Sequence, residues 1–178
     1  MIPNFDRIRE VAAKDTYINE IKVFLDNLSI QDRSKALYLA KNLFFAPETH
    51  PRVRYVIAEK LGKLGPRQLF QQLLSYFILK KFPDTLSLIA ALRSFADAEA
   101  VPALAEYYCE ANYRECLEII DAVAMSQSPE TVEFLSRIYN EQIAYARALE
   151  PAELLEIRQR ASSALGKSIM RFDLGSGL

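Results

Sequence analysis

A repeat of 31 residues is the feature of this sequence that most limits its fold. Within each copy, apolar residues three and four positions apart form one stripe of an amphipathic helix. Repeats of this length fold into stacked helical pairs, because a single pair cannot bury its own apolar face. The positions that recur at this interval are Ala58, Ile89 and Ile120, then Leu61, Leu92 and Val123, then Leu73, Leu104 and Leu135.

Turn and capping residues also favour helices throughout the chain. Only five glycines occur, fewer than the tight turns of a β-rich chain of this size require. The sequence therefore predicts an all-α fold, a right-handed α-α superhelix or solenoid of about ten helices. We expect helices near 4–13, 16–28, 31–45, 51–64, 67–81, 84–96, 98–111, 114–126, 129–147 and 151–171. Residues 1–178 are expected to form a single repeat domain, with a repeat core at about 31–170 and a flexible tail at 173–178.

Composition excludes several classes of function. The net charge of −1 gives no basic surface, so we expect no nucleic-acid partner. No apolar run approaches the ~20 residues that a membrane helix needs, and no secretory signal is visible, so we expect a cytoplasmic protein without membrane insertion. The single histidine and the spacing of the two cysteines match no usual metal site, and no phosphate-binding glycine loop occurs. We therefore expect no metal and no cofactor.

The segment from Tyr107 to Arg114 is the densest candidate for a binding or catalytic surface. Tyr107 and Tyr108 offer aromatic area together with hydroxyl groups. Cys109 is a potential nucleophile, and Arg114 could pair with a carboxylate. A structural interpretation stays open, because the two tyrosines match Tyr76 and Phe77 of the preceding repeat and Cys109 matches the apolar Ile78.

Three more side chains have both a structural and a functional interpretation. Arg54 could stabilise the stacking of neighbouring repeats or bind an anionic ligand. His50, which precedes Pro51, could cap a helix or exchange a proton near neutral pH. Cys116, in the first turn of a predicted helix, could have a lowered pKa from the helix terminus or could simply be buried.

Two patterns resemble a known family. The motif V-R-x-x-x-A-x-x-L-G-x-L-G at Val53–Gly65 and the motif A-x-A-V-P-A-L at Ala98–Leu104 resemble the short HEAT-like repeats named for phycobilisome lyases. The segment Tyr108-Cys109-Glu110-Ala111-Asn112 is similar to an H-C-Q-G-N segment in the smaller subunit of the lyase-isomerases. Cys109 and Asn112 are kept, while the other three residues differ, so the resemblance is to the plain lyase branch, the F-type subunit of the E/F heterodimer.

The resemblance implies a subunit of a bilin lyase. Such a protein pairs with a larger HEAT-like subunit and attaches or removes phycocyanobilin, an open-chain tetrapyrrole substrate, at a cysteine of the phycocyanin α subunit. On this interpretation Glu110 would favour protonation of the pyrrole nitrogens and Cys109 would hold the pigment transiently. The expected bilin contacts are Tyr107, Tyr108, Asn112, Arg114, Arg54 and His50.

Two other functions stay open at this point. One is a non-enzymatic HEAT-repeat adaptor that binds phycobiliproteins, and the other is a general protein-interaction scaffold. Transfer of pigment to an acceptor cysteine would distinguish the lyase from both.

Overall fold

The computed structural model describes residues 5–126 and 128–175, and over these ranges the all-α prediction is confirmed. Ten α-helices occur in the described ranges, with short 3-10 turns at Asp15–Tyr17 and Ala98–Ala100. The α-helices are α1 (Phe5–Ala12), α2 (Ile18–Gln31), α3 (Arg33–Phe45), α4 (Pro51–Leu64), α5 (Arg67–Ile78), α6 (Thr85–Phe95), α7 (Val101–Tyr107), α8 (Tyr113–Met125), α9 (Pro129–Tyr139) and α10 (Pro151–Gly175).

The helices group into two compact units, residues 1–95 and residues 96–178. In the first unit α4 is central, because it packs against α2, α3 and α6. In the second unit α10 packs along α8 and α9. The single repeat domain and its right-handed superhelix stay predictions.

The 31-residue repeat predicts burial correctly in both units. The second helix of each copy buries Leu61, Leu92 and Val123, which are at most 1% exposed. The first helix of each copy buries Leu73, Leu104 and Leu135 to the same extent. Since equivalent positions are buried in α4, α6 and α8, the periodicity marks the core and not only the helices.

Helix α4 is held in the first unit by a buried arginine and by a glycine. Arg54 is 5% exposed, and its guanidinium lies between the C-terminal end of α3 and Asp84. At the other end of α4, the backbone amide of Gly62 donates to the hydroxyl of Ser94 in α6. Both contacts join helices of consecutive repeats.

Several predicted helix ends are wrong, and the backbone shows why. The helix expected at 129–147 ends at Tyr139, and the one expected at 67–81 ends at Ile78. Glu141 and Lys80 adopt left-handed conformations, with φ of 57° and 51°. The next amide then bonds to the carbonyl five residues back, which closes the helix end as a Schellman motif does.

The end of the chain also differs from expectation. Helix α10 continues to Gly175, through the first residues of the tail predicted at 173–178. The rest of that predicted tail lies outside the described residues. Within the described ranges, no helix combines the length and the apolar character required to cross a bilayer.

Candidate functional site

The connection between α7 and α8 brings most of the predicted site residues together. We call residues 107–114 the α7–α8 turn. Because α7 ends at Tyr107 rather than near residue 111, Tyr108 to Asn112 form a short turn and not a helical end. The α7–α8 turn, taken as residues 107–114, contains six of the eight predicted site residues.

Tyr108 anchors the turn from inside. Its side chain is fully buried, and its ring packs edge-on against Phe134 with centroids 5.3 Å apart. Its hydroxyl lies 3.1 Å from the hydroxyl of Tyr145. Burial raises the pKa of Tyr108, so the phenol is neutral and serves packing. Tyr108 therefore lies in the core, away from the surface where a ligand would bind. This agrees with the structural interpretation of Tyr108, which rested on its match to Phe77 of the preceding repeat, also buried.

Asn112 and Tyr107 are engaged in starting α8. The side chain of Asn112 accepts a hydrogen bond from the Glu115 amide at 3.1 Å. The Glu115 carboxylate accepts in return from the Asn112 amide at 2.9 Å and from the Tyr107 hydroxyl at 3.2 Å. This reciprocal pair is a capping box, which satisfies amides that an α-helix leaves unbonded at its start. Both predicted bilin contacts thus have structural partners.

Three predicted site residues face outward from the braced turn. Cys109 is partly exposed, and its thiol lies 3.5 Å from the Glu106 carbonyl. Glu110 and Arg114 are exposed on either side of the capping residue. The carbonyl of Cys109 accepts from the Ala146 amide at 2.7 Å, which ties the turn to the loop after α9. The turn therefore presents a thiol, a carboxylate and a guanidinium on a fixed backbone.

Cys116 lies just beneath this turn, and of its two interpretations the structure agrees with burial and not with a lowered pKa. The thiol is fully buried and points at the carbonyls of Ala111 and Tyr108, 3.8 and 3.9 Å away. Burial, with smaller effects of the Glu115 and Glu153 charges, raises the pKa of Cys116 to about 12. Desolvation outweighs the helix terminus, so this cysteine is an inert core residue.

Arg54 lies in the first unit with its guanidinium fully engaged. Nε donates to the Phe44 carbonyl at 3.0 Å, and the two terminal nitrogens donate to the Ala46 carbonyl at 2.9 Å and to Asp84 at 3.1 Å. The guanidinium also lies over the ring of Phe82, 5.6 Å from its centroid. This arrangement favours the stacking interpretation of Arg54 over ligand binding.

His50 also belongs to the first unit and caps α4. Its Nδ1 accepts from the Arg52 amide at 3.3 Å, and Pro51 occupies the first helical position. The His50 amide donates to the Ala12 carbonyl at 2.9 Å, which ties the end of α1 to the start of α4. The capping interpretation fits this geometry.

Two residues of the site were missed by the sequence analysis. Glu115 was detectable, since an Asn followed three residues later by Glu is the capping-box spacing. Tyr145 carried no local signal, because it lies in a loop that was predicted to be helical. Its contact with Tyr108 joins residues 37 positions apart.

Comparisons with known proteins do not assign this chain to a family. No protein family, no curated protein and no solved structure matches it. Within the described ranges, no cluster of three or more histidine, cysteine, aspartate or glutamate residues is arranged to hold a metal ion.

Proposed function

We propose that this chain is a helical-repeat adaptor that binds a phycobiliprotein on its α7–α8 turn. The observation that carries the proposal is that some side chains of the turn stabilise its backbone while others are accessible to a partner. Tyr107, Tyr108 and Asn112 brace it through hydrogen bonds and packing, while Glu110 and Arg114 are exposed and Cys109 is partly exposed. Loops fixed by a rigid scaffold are the usual carriers of binding function. The class of partner comes from the resemblance of the repeats to those of the phycobilin lyases.

The outward side chains suit recognition of a protein surface. Glu110 and Arg114 carry opposite charges four positions apart, so they can contact a partner that presents the complementary pair. Fixed geometry lowers the entropy lost on binding, because the turn does not have to become ordered. Charges at the edge of an interface act mainly on association rate and specificity.

The bilin lyase subunit is the second candidate, and the Cys109 thiol supports it. This thiol is partly exposed, and the next residue in the chain is the exposed Glu110; on this candidate function they would serve as a transient pigment carrier and a proton donor. Together with a larger HEAT-like subunit, the chain would then pass phycocyanobilin to a cysteine of the phycocyanin α subunit. Positioning of pigment and thiol would supply much of the catalysis.

Binding to immobilised apo-phycocyanin α subunit tests the adaptor proposal. The double variant Glu110→Ala/Arg114→Ala should weaken binding at least tenfold, which corresponds to about 1.4 kcal/mol. The double variant Glu133→Ala/Arg137→Ala is the matched control, because it removes the same two charges, also four residues apart, from exposed positions of α9. Wild-type protein that does not bind, or equal loss in both variants, would refute the proposal.

A pigment-transfer assay separates the two candidates. The chain is mixed with phycocyanobilin and apo-phycocyanin α subunit, with and without a candidate larger subunit, and covalent pigment is read by zinc fluorescence in a denaturing gel. An adaptor gives labelling no faster than the spontaneous reaction. A lyase subunit gives strong labelling only with both chains, and Cys109→Ser reduces it if the thiol carries pigment.

A further inference from the structure

Helix α10 has a second face that its own unit does not cover. One stripe of this helix packs inward, and the opposite stripe is exposed. The exposed stripe begins at Leu155 and ends at Met170, which are 56% and 66% exposed. We call this stripe the α10 face; its exposed members are Leu155, Gln159, Ser162, Ile169 and Met170, and the partly exposed Gly166 lies among them. The inward stripe consists of Ile157, Ala161, Ala164 and Ser168.

We infer that the α10 face binds the α10 face of a second copy of this chain, with the two helices antiparallel. The face is self-complementary in that register. With the two-fold axis beside Ser162, each Leu155 lies opposite Met170 of the other copy. Gln159 lies opposite Gly166, so a long side chain meets a position that has none. The contact extends over 15 residues of rise, or about 22 Å.

Gly166 is suited to a close approach between helices. A Cβ built at Gly166 meets no atom within 4 Å, so nothing inside the unit needs a glycine there. The matching repeat position in α4 is Gly62, where a neighbouring helix already packs directly onto the backbone. A glycine in the middle of an exposed helix is unfavourable by about 1 kcal/mol relative to alanine unless a contact uses it.

Charge complementarity selects the antiparallel arrangement and a second copy as the partner. Glu156 and Lys167 are both exposed and lie on the same flank of α10. In the antiparallel register, Glu156 of each copy lies beside Lys167 of the other, so two opposite-charge pairs form. In a parallel pair the two copies of this flank would lie on opposite sides of the contact, so the pairing of Glu156 with Lys167 would not form. Closed two-fold symmetry is also the commonest form of self-association among soluble proteins.

The expected association is weak. A contact through one helix of each copy is smaller than the ~800 Å² per partner of a standard stable interface. We therefore expect a Kd of roughly 10–100 µM, so the protein changes from monomer to dimer over concentrations accessible in solution. The inference does not rest on the proposed partner of the α7–α8 turn.

Sedimentation equilibrium of the full chain, from about 1 to about 300 µM, tests this inference over the expected Kd range. Gly166→Leu should weaken the dimer at least tenfold, because the added side chain separates the helices. The same variant should not lower the thermal midpoint, since the position is open within the unit. Glu133→Leu on α9 is the control for an added leucine and should leave the Kd unchanged. A monomer at every concentration, or a Gly166→Leu dimer of wild-type strength, would overturn the inference.

Charge reversal then tests the register. Lys167→Glu should weaken the dimer at least threefold without disturbing the unit, because Lys167 makes no hydrogen bond or ion pair among the described residues. Glu156→Lys should weaken it similarly, although this change also removes the bond that Glu156 accepts from Tyr113. The double variant restores both pairs and should recover most of the wild-type affinity. Failure to recover would exclude the antiparallel contact.

Discussion

Gly62 and Ser94 bring two consecutive repeat helices into backbone contact. The Gly62 amide donates to the Ser94 hydroxyl at 2.9 Å, and that hydroxyl in turn donates to the Ala58 carbonyl at 3.0 Å. A Cβ at Gly62 would lie 2.1 Å from the Ser94 carbonyl carbon. The glycine is therefore required by the packing of α4 on α6 and not by its own backbone conformation.

Replacing this glycine should damage the fold strongly. Gly62→Ala forces the backbones of α4 and α6 apart, and overpacking of this kind costs about 3 kcal/mol or more when no flexible side chain can move away. Urea unfolding measures the change. Gly166→Ala is the matched control, since it should leave the free energy of unfolding unchanged or raise it by up to about 1 kcal/mol. Equal effects at the two glycines would contradict this interpretation of the contact.

Arg54 should be essential for stability in a way that Arg158 is not. Arg54→Met leaves Asp84 without its buried cation and two carbonyls without their donor, which should cost about 3–5 kcal/mol. Arg158 occupies the matching repeat position, but its partner Glu141 and Arg158 itself are exposed. Arg158→Met should therefore change the free energy of unfolding by less than about 1 kcal/mol. A small effect at Arg54 would show that the guanidinium is not needed for stacking.

Asn112 should contribute to stability as the N-terminal cap of α8. Asn112→Ala removes the acceptor for the Glu115 amide and should lower the free energy of unfolding by about 1 kcal/mol. Asn112→Asp keeps a capping oxygen and should retain most of the wild-type stability. Thermal unfolding of the three proteins measures the difference. An alanine variant as stable as wild type would show that the capping box does not contribute.

The buried thiol predicts a loss of stability in alkali. Because the pKa of Cys116 is about 12 when folded against 9.0 for an ordinary thiol, the folded protein holds a proton that the unfolded chain releases above pH 9. The contribution of the protonated Cys116 thiol to the free energy of unfolding is complete below pH 9 and is lost as the pH rises toward 12. The raised pKa values of Tyr108 and Tyr145 act in the same direction. Chemical denaturation at several pH values should show this slope, and Cys116→Ala should reduce it.

The repeat made the core predictable, because the same apolar spacing places the same residues inside in each copy. Leu61, Leu92 and Val123 are all buried as the 31-residue interval requires. Helix ends were less predictable, since they depend on backbone conformations that side-chain periodicity does not report. Lys80 and Glu141 adopt positive φ without being glycine, so the usual glycine signal for a helix end was missing.

The sequence grouped six of the eight candidate residues in the α7–α8 turn, but the orientation of their side chains was not predictable. Tyr107 and Tyr108 are neighbours in sequence, yet one bonds to the capping glutamate while the other is buried under Tyr145. That difference depends on the loop after α9, which folds back onto the turn. Sequence periodicity describes contacts within repeats, and it cannot anticipate a contact made by an irregular loop.

The left-handed residues at the helix ends have a practical consequence for engineering. Lys80, Ala96 and Glu141 each adopt a backbone conformation that costs a residue with a side chain about 1 kcal/mol or more. Glycine would adopt it without that cost, although it would also make the unfolded chain more flexible. Glycine substitutions at these three loop positions are therefore a starting point for raising the thermal stability of this chain without any change to the core.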